Sequence, residues 1–577
     1  LQGFADREFL PIGEMSSING GLRIGNRCAE RRVRVGKAEF WLILIMATFP
    51  LKSPQGRWVL TATILASAMA FIDSTALNVV LPALQKDLHA TAADLFWMLN
   101  AYLLVLAALI LVGGALGDRL GRKRVYMIGI FVFIIGSAAC GVAPDVGLLV
   151  AFRVLQGLGG ALMIPGSLSL LSSSIDEKER GKAIGTWSAV TTVVTMGGPI
   201  LGGALADAGM WRSIFFINVP IGLVALLILA RKVVSPGQDE YSDNSSGGRR
   251  VDGWGAAAIA FGLAAMTFGF LRLPELGFGA FAVWGSLLLG VLLLGLFIFI
   301  EARSRQPMMP LFLFENRTFS AVNALTFFLY AGLGAGMLFL SLNLVQAQGY
   351  SQLQSGLTFL PFTVLMIGLA RWAGSLADKH GARPFLIAGP AAAGVGLLIL
   401  SFVGQTRGPA DYGTSFLPGV LVFGLGMAFT VAPLTTTVMT AVSDEYSGVA
   451  SGVNNAMTRI ANVFANAIFG ALAVLLFAGM IRDRIEGWEL TPTQRQGALA
   501  EAGNLGNAGL SKAVWGEGPD LGPEKAAAKA KAMRELPRIY REGFIEVYQD
   551  IMRMAAGLAF LGAAMGLLFV RNRKRNL

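Results

Sequence analysis

Of 577 residues, 54% are hydrophobic and only 14% charged, and the mean hydropathy is +0.61. A soluble domain carries nearer a quarter charged residues, so a soluble enzyme or binding module is excluded. The net charge of +11 does not point to nucleic acid, because most of the excess sits in short loops between apolar runs, where it orients the chain across a bilayer. Cys28, Cys140, His89 and His380 are isolated, which leaves no disulfide framework and no thiolate or imidazole metal site.

Residues 1–57 differ from the rest of the chain. They are polar and begin with Leu, and the basic-then-apolar stretch 31–47 superficially resembles a signal peptide. The expectation is an over-extended reading frame with its start near Met46, so this segment is left out of the fold. Apolar runs long enough to span a bilayer then occur at about 58–81, 95–116, 125–142, 147–171, 183–206 and 214–230. A polar linker comes next at 231–250, then a further pair at 253–271 and 280–300, and a second linker at 301–317. The last six runs lie at 319–345, 356–376, 385–403, 416–440, 448–480 and 554–570. The reading is an all-α membrane protein of fourteen spans. It divides into an extension 1–57, a six-helix bundle 58–231, a linker with two extra spans 232–317, and a second bundle 318–577 that includes an external loop 481–552.

The basic residues keep to one side of this count. Arg119, Arg122, Lys123, Arg124, Lys178, Arg180, Lys182, Arg231, Lys232, Lys379, Arg383 and the tail 571–575 fall together, against Lys86, Arg212, Arg272 and Arg407 in the short loops opposite; the long loop at 481–552, whose charges nearly cancel, is exempt by its length. By the positive-inside rule both termini are cytoplasmic. Within the long loop, 524–535 is rich in Ala, Lys and Glu and predicts a helix. The stretch 539–552 predicts an amphipathic approach to the last span.

Asp73 is the sharpest signal, with no other acid between Trp58 and Leu84. A charged side chain at bilayer depth costs about 2.5–3.5 kcal/mol on insertion scales, so it normally faces a cavity and marks a proton or ion path. A plain hydrogen bond to Ser74 or Asn78 is the alternative. Arg153 in the fourth run needs a carboxylate or several carbonyls, and Asp73 is a candidate partner. Pro199 bends the fifth run, and Gly198, Gly202 and Gly203 permit close packing. Asn78, Asn100, Tyr102, Gln156, Asn323, Asn343, Asn454, Asn455 and Arg459 either line a central cavity or tie helices together. Arg371 either snorkels to the interface or joins them. If Arg153, Arg371 and Arg459 all reach the cavity they outnumber its single acid. That disfavours permanent dications and favours neutral, zwitterionic or anionic amphiphiles. The long loop holds no His or Cys, so a membrane-bound transferase is disfavoured.

Two stretches tie the runs into halves. GALGDRLGRKR at 114–124 recurs as GSLADKHGAR at 374–383, with Asp118 and Asp378 260 positions apart. Six spans need only about 150–200 residues, which leaves room for the extra pair. The loop Gly114, Asp118, Arg119, Gly121, Arg122 resembles that of the major facilitator superfamily. Asp73-x-Thr75-x-x-Asn78-x-x-Leu81-Pro82, with Trp97, Asn100 and Tyr102, resembles its fourteen-helix drug:proton antiporter branch. RVLQGLGG from Arg153 resembles the family's helix 4 motif. Gly198-Pro199-x-x-Gly202-Gly203 resembles the antiporter motif, with Val194 where an earlier glycine is usual. The resemblance implies two six-helix bundles rocking about a central site and export driven by the proton gradient with no cofactor. Asp73 and Arg153 couple the proton, and Asp118 pairs with a helix end of the opposite half. The implied partners are protons, small drugs or other amphiphiles, and the lipid of the plasma membrane, for a monomeric multi-pass protein. An exporter of one endogenous antibiotic or siderophore is the alternative.

Overall fold

The computed structural model describes residues 48–233, 252–304, 307–443, 446–488, 490, 492–502, 505 and 523–570. Most of the N-terminal extension, nearly all of the first linker and the basic tail therefore lie outside the described residues. Those described are helical almost throughout, and fourteen helices are long and apolar enough to cross a membrane. They are α1 Pro54–Leu88, α2 Ala92–Leu120, α3 Arg122–Val142, α4 Val146–Ser174, α5 Glu177–Asp207 and α6 Ser213–Lys232. The extra pair is α7 Gly253–Leu276 and α8 Phe281–Arg303. The second half comprises α9 Arg317–Gln346, α10 Leu360–His380 after the short turn Gln352–Leu357, α11 Arg383–Ser401, α12 Phe416–Thr440, α13 Ser447–Ile485 and α14 Pro523–Phe569.

Local sequence sets many of the boundaries. The Ser53 side chain caps Gly56 N–H at the start of α1, and Thr91 with Asp94 forms a capping box on α2. The loop motif turns on a glycine in both halves: α2 ends at Gly121 (φ 95°) and α10 at Gly381 (φ 86°), a region that disfavours a side chain. A basic residue just beyond does the same job twice. Lys123 Nζ donates to Val233 O just past α6 at 2.7 Å, and Arg383 Nη2 donates to Leu567 O near the end of α14 at 2.9 Å. Cations placed on the free carbonyls of a helix C-terminus are favourable, and here they staple each hairpin to the sixth helix of its own half.

Within each half, glycines let backbones touch. A Cβ on Gly159 of α4 would sit 2.4 Å from Phe133 N of α3, and one on Gly426 of α12 would sit 2.2 Å from Ala393 N of α11. The extra pair is not a detached appendage. Leu104, Ala107 and Ala108 of α2, Ala258, Ile259 and Leu263 of α7, Phe297 of α8 and Val463 of α13 form one buried cluster. Helix α7 thus lies over the seam where α2 of one half meets α13 of the other, with α8 outside it.

The helix expected at 524–535 within the long loop is longer than its sequence pieces indicate. The pieces expected at 524–535, 539–552 and 554–570 are one continuous helix of 47 residues, and α13 runs on to Ile485. At 1.5 Å per residue α14 is about 70 Å long, over twice the hydrocarbon thickness. The apolar run marks where the membrane begins, whereas the helix continues through the Ala-, Lys- and Glu-rich residues that favour it. Outside the apolar zone α13 and α14 stay packed. Phe477 meets the rings of Tyr540 and Phe544, Arg484 bridges Glu542 and Glu546, and Tyr540 donates to Ala498 O in the helix 492–502 at 3.0 Å.

Candidate functional site

Asp73 lies midway along α1 and Arg153 on the facing turn of α4. Arg153 Nη1 donates to Asp73 Oδ2 at 2.5 Å, and the two side chains are 2% and 0% exposed. Gln156, one turn along α4, donates from Nε2 to Asp73 Oδ1 at 2.9 Å and accepts from Arg153 Nη1 at 2.8 Å. Arg153 Nε donates to Met98 O of α2 at 3.2 Å, and the guanidinium carbon sits 4.5 Å from the centre of the Tyr102 ring. Both carboxylate oxygens and most of the guanidinium fork are thereby occupied, as a buried pair requires. Ser74 donates instead to Ala70 O of its own helix, so neither Ser74 nor Asn78 holds the carboxylate. Asp73 does not line an open space in this conformation: it is sealed inside the first half by α1, α2 and α4.

The motif around Pro199 serves two contacts. A Cβ on Gly198 would fall 2.0 Å from Thr75 Oγ1 and one on Gly202 2.6 Å from Ala76 O, so both glycines seat α5 on α1 beside Asp73. Gly203 faces the other half, where a Cβ would fall 2.3 Å from Gln352 O. Thr75 donates to Thr195 O at 2.9 Å. Asn78, Thr75, Thr195, Pro199, Met337, Ser341 and Phe359 line a cavity of about 50 Å³ between the halves, enough for a water or two rather than a drug.

Beyond this cavity the halves are latched, through residues the sequence reading missed. Asp207, the last residue of α5, accepts from Ser351 Oγ at 2.6 Å and from Gln352 N and Leu353 N at 2.9 Å each. Gln346 at the end of α9 donates to Gln85 of α1 at 3.2 Å. A signal was present: an acid at a helix C-terminus opposes the helix dipole and needs another partner, here the N-terminus of the turn 352–357. Burial at this end pushes the Tyr350 and Tyr412 hydroxyls up to about 12, and Tyr412 donates to Thr358 O at 2.7 Å. At the opposite end, where the two loop motifs lie, Thr186 and Ser188 of α5 and Thr435, Thr436 and Thr440 of α12 are exposed. The halves are thus latched at one end, and at the motif end these polar side chains of α5 and α12 stay exposed.

The remaining candidates divide. Asn454 donates to Asn323 Oδ1 at 3.2 Å and Thr326 Oγ1 at 2.7 Å, tying α13 to α9. Asn455 is exposed and bonds Ser451 O of its own helix. Asn100 and Asn343 are fully buried, and both amide atoms of each lack a partner among the described residues. Arg371 is exposed, whereas Arg459 is half-buried on α13, between Ala456 and Val463, which join the buried clusters shared with α2. Gly121 turns the motif hairpin, whereas Gly114 sits within α2, where an added Cβ would meet only Pro165 at 3.8 Å. Arg119 is exposed, and Arg122 Nη1 reaches Ser169 O at 3.4 Å. The Asp118 side chain, expected to pair with the opposite half, lies outside what is described. Among the described residues no group of three His, Cys, Asp or Glu side chains could hold a metal ion.

Comparison with known proteins agrees with this architecture. The family model of the Major Facilitator Superfamily matches residues 63–466. The chain is 30% identical over 525 residues to the tetracenomycin C resistance and export protein of Streptomyces glaucescens, covering 90% of this chain and 93% of that one. It is 33% identical to the multidrug resistance protein Stp of Mycobacterium tuberculosis, covering 77% and 80%. Among solved structures, a bacterial homolog of the human lysosomal transporter Spinster, inward-facing and occupied, superposes with a TM-score of 0.61 at 18% identity. That match covers 90% of this chain and 98% of the other.

Proposed function

The chain belongs to the major facilitator superfamily, and from that premise we propose that this multi-pass secondary transporter is a proton-coupled exporter of amphiphilic small molecules. Within the superfamily we assign it to the fourteen-helix drug:proton antiporter branch, in the plasma membrane, as a monomer with both termini cytoplasmic. The six-helix bundles are 58–231 and 318–577, joined by 232–317. The motif loops then face the cytoplasm and the latch faces outward, so the described conformation is the inward-open one.

The observation that carries coupling is the sealed Asp73–Arg153–Gln156 cluster. A carboxylate at mid-membrane whose charge is matched by one guanidinium is a two-state element. A proton added to Asp73 removes the ion pair, and Arg153 is left on the Met98 carbonyl, the Gln156 amide oxygen and the Tyr102 ring. Helix α1 is then released from α4 on the side opposite α5. The glycines at 198 and 202 hold α1 against α5, which itself carries Asp207 of the latch, so a change at Asp73 reaches the outer closure through two packed helices. Each inward proton contributes about 2.3 kcal/mol per 100 mV of membrane potential, to which the pH gradient adds. No cofactor enters this scheme.

Resistance and export are what the names of the similar proteins describe, and they support outward transport of drugs. The likeness over 90% of the chain to the tetracenomycin C exporter favours a second reading, the export of one endogenous antibiotic. A drug-susceptibility panel in an efflux-deficient host separates the two. A general exporter protects against several unrelated compounds, and a dedicated one against a single compound. In proteoliposomes, an imposed pH gradient should drive accumulation of a protected compound, and a protonophore should collapse it. Accumulation that survives the protonophore would remove proton coupling.

A further inference from the structure

The charge inside the chamber is set by which arginines have partners. Arg153 is taken up by Asp73 and sealed away. Arg459 is not: half-buried on α13, it has no acidic partner among the described residues. It stands twelve residues into α13, about 18 Å from the motif end at 1.5 Å per residue, close to the middle of the bilayer.

Its surroundings are aromatic and shared between the halves. Ala456, one turn before it, belongs to the buried cluster that holds Tyr102 and Leu106 of α2, and Val463, one turn beyond, to the one that holds Leu104 and Ala108 of α2. One turn before Tyr330, Phe327 meets Phe464 of α13 with ring centroids 6.3 Å apart. One turn beyond Arg459, Asn462 lies so close to Gly334 of α9 that a Cβ there would fall 2.4 Å from its Oδ1. An unpaired guanidinium at this depth is costly unless water or a counter-charge reaches it. Its planar fork matches a carboxylate in two parallel hydrogen bonds and stacks on aromatic faces. Asp73, the acid at membrane depth in the first half, cannot serve, because both its oxygens are occupied.

We propose that Arg459 is the charge-recognition residue of the substrate chamber, and that the preferred substrates are planar aromatic molecules bearing a carboxylate or phenolate. This rests on the export reading above and adds the sign of the cargo. The substrate supplies the missing negative charge, its rings lie against the partly exposed Tyr330 and Phe327, and its release outward leaves Arg459 to the water of the chamber.

The test uses full-length protein in proteoliposomes with anthraquinone-2-carboxylate as anionic probe and ethidium as cationic probe, together with binding of each probe to detergent-purified protein. Wild type should bind and accumulate the carboxylate in preference to ethidium. Arg459→Gln should lower kcat/KM for the carboxylate at least tenfold, Arg459→Lys should recover part of that loss, and Arg459→Glu should accumulate more ethidium than wild type. The gain in the last variant shows that the fold is intact. Equal handling of the carboxylate by wild type and Arg459→Gln overturns the assignment, as does a wild type that binds ethidium and ignores the carboxylate. Carboxylate binding that depends on Arg459 without gradient-driven accumulation keeps the site and removes the export reading.

Discussion

Asp73→Asn is expected to abolish pH-gradient-driven transport in proteoliposomes while leaving a folded protein. The substitution keeps the shape, its Oδ1 still accepts from Arg153, and a turned Gln156 amide can accept from the new Nδ2, but the group can no longer take up and give back a proton. The reverse disruption is predicted to be structural. Arg153→Leu leaves a buried carboxylate with only the Gln156 amide, and breaking a buried pair from one side typically costs about 3–5 kcal/mol. A large drop in Tm in detergent should accompany it. Combining Asp73→Asn with Arg153→Gln removes both charges and should recover much of that stability without restoring coupling. This split between Tm and transport distinguishes a coupling element from a mere strut. Wild-type gradient-driven transport by Asp73→Asn would take this carboxyl out of the mechanism.

The second large effect is predicted at the latch. Asp207→Ala deletes three hydrogen bonds between the halves and a negative charge facing a helix N-terminus. At about 0.5–1.5 kcal/mol per hydrogen bond, the closed state should lose a few kcal/mol. The balance between closed and open forms moves roughly tenfold for each 1.4 kcal/mol. Spin labels at Met210 and Thr414, exposed on opposite halves at this end, should therefore show a longer-distance population that wild type lacks. Asp207→Asn, which keeps one acceptor, should fall between. Identical distance distributions in wild type and Asp207→Ala would mean that the latch does not hold the gate.

The fourteen spans and the twofold loop motif could be read from the sequence because hydropathy and glycine-basic hairpins are local properties. The pairing of Arg153 with Asp73 could be anticipated, since each is a charge at lipid depth that needs the other. Gln156 as the third member was visible only as part of a motif, because an amide carries no charge that demands a partner. Asp207 has no place in the sequence reading because its role depends on a contact 144 positions away with Ser351. The length of α14 escaped because hydropathy reports the lipid boundary and is blind to a helix that continues past it. The position of α7 over α2 and α13 is a packing fact among small side chains, such as Ala107 and Ala258, that no linear pattern announces.

That position bears on how the transporter moves. A helix bound to both covers of a book acts as its spine: prising α2 from α13 would strip α7 from one of them and expose its buried alanines. Rocking is thereby steered into a lopsided swing, widest along the fore-edge where α5 faces α10, and label pairs spanning that edge should travel farther than pairs across the spine. Oily molecules drifting in the inner leaflet would then find one flank of the protein ajar and the other permanently bound.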